Sequence, residues 1–199
     1  MKILLVGALG TVGRAVAAEL GGRHELVSAG RQGGDLRLDL ADPASIEAAF
    51  QQLGTVDAIV SAAGQVGWAP LLEMSPAQWA YTVSNKLMGQ VNLALIGQRF
   101  LRDGGSITLT SGVLTHEPVA YGAGASLANG GIEGFVRAAA VELPRGLRIN
   151  AVSPGVLLES MDDLGPFFRG FQPVPGARVA LGYARSVEGG ETGKVYAVH

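Results

Sequence analysis

Gly7, Gly10 and Gly13 recur at intervals of three, directly after an apolar run at 2–6 and at the head of a helix-forming stretch at 11–20. Glycine lets a backbone turn tightly and come close to a charged ligand, and a helix N-terminus gathers free peptide N–H groups. Strand, glycine turn and helix in that order predict a seat for the diphosphate of a dinucleotide, with Leu9, Thr11 and Val12 beside the glycines. A plain tight turn without a ligand would use the same three glycines; the strand–helix context favours binding. Arg31 follows a second apolar run, which ends Ser28-Ala29-Gly30-Arg31 with no acidic residue. An acidic group there would accept from a ribose 2′-hydroxyl, whereas a guanidinium pairs with a 2′-phosphate. The expected cofactor is therefore NADP(H) rather than NAD(H), with a solvated surface arginine as the competing reading.

Other reactive residue types are sparse. The chain has no cysteine, which excludes disulfides, thiol nucleophiles and zinc–cysteine sites, and no metal site is expected. His116, Glu117 and Tyr121 share one loop. Trp68 and Trp79 read as core or subunit contacts rather than substrate platforms.

These residues need a scaffold, and the chain has the material for one. Its 199 residues are 48% hydrophobic, enough for one well-buried domain over 1–199. The formal net charge of −2 gives no basic surface for nucleic acid. No apolar run approaches the roughly 20 residues of a membrane span. The first 20 residues have some features of a secretory signal, but the three glycines fit a strand–turn–helix better, and a cytoplasmic location is expected. The 30 glycines show no period of three.

Short apolar runs predict strands at 2–6, 26–29, 35–40, 56–60, 106–110, 148–152 and 194–198. Helices are predicted at 11–20, 42–53, 75–102 with a break, 123–143 and 176–187; Asp42-Pro43 and Ser75-Pro76 open two of them. Residues 157–175 read mostly as loop. The expected fold class is α/β: a Rossmann-type, doubly wound parallel sheet of about seven strands in a three-layer α/β/α arrangement. Only residues 30–34 separate strands two and three, too few for the usual crossover helix.

The chain resembles the short-chain dehydrogenase/reductase family over nearly its whole length. Gly7 to Gly13 is similar to the family's glycine motif, with the middle glycine displaced by one position. Asp39-Leu40 resembles the pair that lies against the adenine. Ser61-Ala62-Ala63-Gly64 is similar to the Asn-Asn-Ala-Gly strand end beside the cofactor. The run from Arg148 through Pro154, Gly155 and Val156 resembles the sixth-strand motif, and Thr192-Gly193 precedes the last strand as in the family.

The resemblance implies hydride transfer between a nicotinamide and a small carbonyl or alcohol, with a Tyr moving the proton, a Lys tuning it and holding the nicotinamide ribose, and a Ser orienting the oxygen. Ser111 matches that serine. Gly134-Phe135 and Glu142-Leu143 fix the register of the helix that carries the other two, and they put Ala125 at the Tyr position and Asn129 at the Lys position. Alanine has no proton to give, a loss commonly worth 10²–10⁴-fold. Trp79 and Gly89 frame a fourth family position, an Asn, which here is Lys86. Its ammonium is a candidate to hold ribose or substrate, or to give a proton if desolvated; a solvated or paired lysine is the alternative. The catalytic candidates are therefore Ser111, Lys86 and Asn129. Two functions stay open: an NADP-dependent oxidoreductase with a rebuilt site, or a cofactor-binding sensor or structural protein without chemistry. The resemblance also implies a homodimer or homotetramer through the helices at 76–102 and 123–143.

Overall fold

The computed structural model describes residues 1–199. Seven parallel strands form one sheet: β1 (Lys2–Val6), β2 (Glu25–Gly30), β3 (Leu36–Arg37), β4 (Val56–Ser61), β5 (Leu101–Thr110), β6 (Arg148–Pro154) and β7 (Val195–Val198). Their spatial order is β3-β2-β1-β4-β5-β6-β7. The chain winds outward from β1 to β3, then returns past β1 to lay down β4 on its other side. Adjacent crossovers therefore leave on opposite faces, and a crevice opens at the carboxyl ends of β1 and β4.

Each face has its own core, because strand residues alternate between faces. On one face α2 (Pro43–Leu53), α4 (Gly89–Gly97) and α5 (Ala123–Glu142) bury Phe50, Leu93, Ile132 and Val136 against Leu4, Ile59, Ile107 and Ile149. Phe50 stacks on Phe100 with centroids 5.1 Å apart; complete burial of such a ring stabilises by about 1.5–3 kcal/mol. On the other face α1 (Thr11–Leu20) and α7 (Gly176–Glu188) bury Val16, Leu20, Val179 and Tyr183 against Ile3, Leu5, Val60 and Val152. Tyr183 is fully enclosed, and its hydroxyl meets Thr110 Oγ1 at 2.5 Å.

Start signals act as their chemistry requires. The Asp42 side chain accepts from Ala44 N at 2.9 Å ahead of α2. Ser75 and Gln78 form a reciprocal capping box at α3 (Pro76–Thr82).

Three elements depart from expectation. The third strand covers only two residues rather than 35–40, because side chains take the groups that would extend it. The Asp35 carboxylate accepts from Ser28 N and Oγ, and Asp39 N donates to Ser45 Oγ. The helix predicted to Arg102 ends at Phe100, and β5 starts at Leu101. Leu101 pairs with Val56, and Ser106 with Ala58, so the intervening residues bulge out at Gly104. The break in that helix is a π-helical segment, Val83–Met88, between α3 and α4. Residues 157–175 contain a 3₁₀ turn at Leu158–Ser160 and a single-turn helix α6 (Met161–Leu164).

Candidate active site

The seat expected for the diphosphate forms because Gly7 adopts φ +85°, a conformation that side chains rarely tolerate. A Cβ there would sit 2.7 Å from Ala63 Cβ and 2.8 Å from the Ala62 carbonyl oxygen. A Cβ on Gly13 would collide with the Gly7 carbonyl oxygen, so the head of α1 packs directly on the turn. Gly10 caps α1 without a side-chain hydrogen bond, which leaves the first N–H groups to an anion. The residues present thus fit a diphosphate.

Two crevices share this turn. One, of about 290 Å³, is lined by Gly7, Gly10, Gly30, Arg31, Asp39, Leu40 and Ala62 to Gly64, together with Gln65 and Asn85. The other, of about 330 Å³, runs beside Leu9 and Gly30 to Gly34. Arg31 lines both. Its side chain makes no ion pair within the chain, so the guanidinium is free for an anion. The short 31–35 connection leaves this end open. Leu9 is 63% exposed and reaches over to Gly33. Thr11, Val12 and Gly13 are in the first turn of α1, behind the crevice wall. A larger crevice, about 560 Å³, lies elsewhere, between α7 and the edge strand β7, and holds none of the expected site residues.

Pro154 ends β6, Gly155 and Val156 follow it, and all three are buried. Gly155 N donates to Val198 O at 2.8 Å, and Val156 O accepts from Val174 N at 2.9 Å. Neither of the two crevices at the Gly7 turn is lined by them.

The catalytic candidates converge at the carboxyl ends of β4 to β6, on the α4/α5 face. Ser111 is buried, and its Oγ donates weakly to Val152 O at 3.4 Å. Lys86 comes from the π-helical segment, and its stem crosses Gly64, where an added Cβ would lie 3.1 Å from Lys86 Cγ. The ammonium donates to Ser111 O at 3.4 Å. Some surface of Lys86 stays accessible, yet burial pushes the ammonium down to about 8. Asn129 projects from α5 and donates from Nδ2 to Gly112 O at 3.3 Å. Its Oδ1 is buried without a partner, as are Ser61 Oγ and Ser153 Oγ at the neighbouring strand ends.

Ala125, the residue expected at the family's tyrosine position, is buried in an apolar cluster with Val113, Leu114, Val156 and Phe168, bordered by Trp68, Phe167 and Phe171. The short segment after β6 is thus packed down over this corner. Tyr121 belongs to that packing: its ring meets Phe167 edge-on. His116 Nε2 lies 3.3 Å from Glu133, and Glu117 lies 3.9 Å from His199. Trp79 lies in the first turn of α3, where its N–H donates to Ser75 O at 3.1 Å.

Sequence reasoning missed Asn85, Gln65 and Gln90. Asn85 Oδ1 accepts from Gln65 N at 2.7 Å and lines the crevice. Gln90 clamps Thr110, donating to its carbonyl at 2.9 Å and accepting from its N–H at 2.8 Å. For Asn85 and Gln90 the signal was polar residues in an otherwise apolar helical stretch; Gln65, in the loop after β4, had none. The π-helical turn then decides which of them face inward.

A glycine-turn crevice at the switch point of a doubly wound sheet, with a serine and a lysine meeting beside it, defines a dinucleotide-binding protein of the short-chain dehydrogenase/reductase type. Residues 14–197 match the family model described as enoyl-(acyl carrier protein) reductase, and the chain belongs to that family. It is 50% identical to the protein lin1944 from Listeria innocua, whose crystal structure superposes with a TM-score of 0.99 over 100% of both chains. A small-chain dehydrogenase in complex with NADPH is 27% identical, with a TM-score of 0.88 over 100% of this chain and 96% of that one. D-threitol dehydrogenase of Mycolicibacterium smegmatis is 32% identical over 158 residues, 74% of this chain; the chain spans 57% of that relative's length. No helix is long and apolar enough to cross a membrane.

Proposed function

We propose that residues 1–199 act as one cytoplasmic, NADP(H)-dependent oxidoreductase domain that works on a small carbonyl or alcohol with a rebuilt reacting end. The observation that carries this reading is the crevice at β1 and β4, whose Gly7 turn has no room for a side chain and whose rim presents the unpaired Arg31. Gly7, Leu9, Gly10, Thr11, Val12 and Gly13 would hold the diphosphate on the head of α1. Arg31 would pair with a 2′-phosphate. Asp39, Leu40, Ala62, Ala63 and Gly64 would line the adenosine and its ribose, and Pro154, Gly155 and Val156 the nicotinamide end. A bound nicotinamide dinucleotide supplies or accepts the hydride. Ser111, Lys86 and Asn129 would orient and hydrogen-bond the polar groups at that end, and of the three only the Lys86 ammonium carries a charge. Subunits would pair through the helices at 76–102 and 123–143, where Leu95, Leu127 and Val141 are exposed.

A second reading is favoured by the enclosure of Ala125: the chain binds NADP(H) as a sensor or structural partner and performs no chemistry. Thermal unfolding in NADPH tests the common part, since ligand at 100 times its Kd stabilises by about 2.7 kcal/mol. No shift with NADPH or NADH removes both readings. NADPH consumption across a panel of small carbonyls, lost in Ser111→Ala, supports the enzyme; tight binding with no turnover across that panel supports the sensor.

A further inference from the structure

An open sheet ends in two edges, and an unpaired edge offers its backbone groups to another strand. Here β3 forms one edge with only two residues, and β7 forms the other with four, Val195–Val198. On its inner side Lys194 O and Val198 O accept from Ala151 N and Gly155 N at 2.8 Å. Successive residues of a strand turn their N–H and C=O groups to opposite sides, so those of Val195 and Ala197 face away from the sheet. No backbone hydrogen bond from elsewhere in the chain reaches them.

The crevice of about 560 Å³ lies along this edge, between Tyr196 and the flank of α7. Gly182 packs on Val198, and the Arg185 guanidinium lies over the Tyr196 ring at 4.9 Å, so α7 runs antiparallel to β7. That direction puts Arg178 at the Val198 end of the groove and Lys194 at the other end, near Arg185. Leu181, 56% exposed, stands between them. Arg185 is committed to Glu191 at 2.9 Å, and the Tyr196 hydroxyl binds the same carboxylate. Arg178 and Lys194 make no ion pair within the chain. A chain of net charge −2 thus holds two free cations at the ends of one groove, with an apolar side chain between them.

We propose that this groove docks an extended acidic segment of another protein, which adds a strand to β7. Strand residues i, i+2 and i+4 share a face, and i to i+4 spans about 13 Å. Arg178 and Arg185, which mark the two ends, stand about 10.5 Å apart along α7. The segment that fits reads acidic–x–apolar–x–acidic. Its two carboxylates meet Arg178 and Lys194, its apolar side chain covers Leu181, and its backbone bonds Val195 and Ala197. A small anion would engage the cations and leave both Leu181 and the strand edge bare. The groove shares no lining residue with the two crevices at the Gly7 turn, so the proposal stands apart from the cofactor reading.

Fluorescence anisotropy with the labelled peptide Gly-Ser-Glu-Thr-Val-Thr-Glu-Ser-Gly tests it on the full chain. The peptide should bind, and its affinity should fall about fivefold or more in Arg178→Glu and in Lys194→Glu, and as salt rises from about 50 to about 500 mM. Replacing both peptide glutamates by glutamine, or methylating the backbone nitrogens on the β7-facing side, should abolish binding. Unchanged thermal unfolding of the two variants reports an intact fold. No binding, equal binding of the glutamine peptide, or indifference to backbone methylation would overturn the proposal. Sedimentation supplies a further check: if Arg178→Glu splits an oligomer that the peptide cannot disrupt, the groove belongs to a second copy of this chain and the proposal fails.

Discussion

Tyr121 packs edge-on against Phe167, with ring centroids 5.5 Å apart, while its own backbone holds φ at 67°. A bulky residue in the left-handed region carries about 1–2 kcal/mol of strain, and an aromatic pair returns about 0.5–1.5 kcal/mol. Tyr121→Gly removes both and should change stability by less than about 1 kcal/mol. Phe167→Ala leaves the strain, strips Trp68 of its edge-on partner at 5.4 Å, and should cost about 2 kcal/mol or more. Urea unfolding of the two variants checks this; equal losses would show that Tyr121 is not strained.

The Gly7 turn tolerates no side chain. Gly7→Ala combines a positive φ with overlap on Ala63 and the Ala62 carbonyl, so stability should fall by about 2–4 kcal/mol. NADPH should then give no further thermal stabilisation. A variant that keeps its cofactor-dependent shift would place the diphosphate elsewhere.

Arg31 separates the two nicotinamide cofactors. Arg31→Glu puts a carboxylate where a 2′-phosphate would lie, and NADPH affinity should fall at least tenfold. NADH affinity should hold or rise, because the new carboxylate can accept from a 2′-hydroxyl. Parallel titrations of the two decide it, and a uniform loss would reduce Arg31 to a general anion contact.

Lys86 ties the site to pH. Its ammonium titrates near 8 in the folded chain, against an ordinary 10.5, because burial disfavours the charge. The unfolded chain therefore holds more protons between about pH 8 and 10.5, and this group makes stability rise with pH across that window. Below pH 8 the charged lysine opposes folding by at most about 3 kcal/mol, less where solvent still reaches it. Lys86→Met should flatten the slope and raise stability at neutral pH by about 1–2 kcal/mol. Denaturant midpoints from pH 7 to 10 measure it. A stabilised variant that binds NADPH less well would mark Lys86 as kept for function.

The strand–turn–helix at Gly7, the capped starts of α2 and α3, and the doubly wound parallel sheet were legible in the sequence, because each rests on local chemistry or on chain direction. Glycine spacing, Asp42-Pro43, Ser75-Pro76 and alternating apolar runs act within a few residues of themselves. The two-residue third strand was not legible, since it depends on which side chains reach Asp35 and Asp39. Nor was the start of β5, set by its pairing with Val56. The expectation that Ala125, Asn129 and Lys86 stand at family positions rests on register counting alone.

Only the folded chain decided what surrounds those residues. The π-helical turn at Val83–Met88 carries Lys86 against Gly64 and Ser111. The 157–175 segment closes the aromatic cluster over Ala125. Both outcomes depend on contacts between segments far apart in sequence, where burial and unpaired polar atoms are properties of the assembled packing and of no single residue.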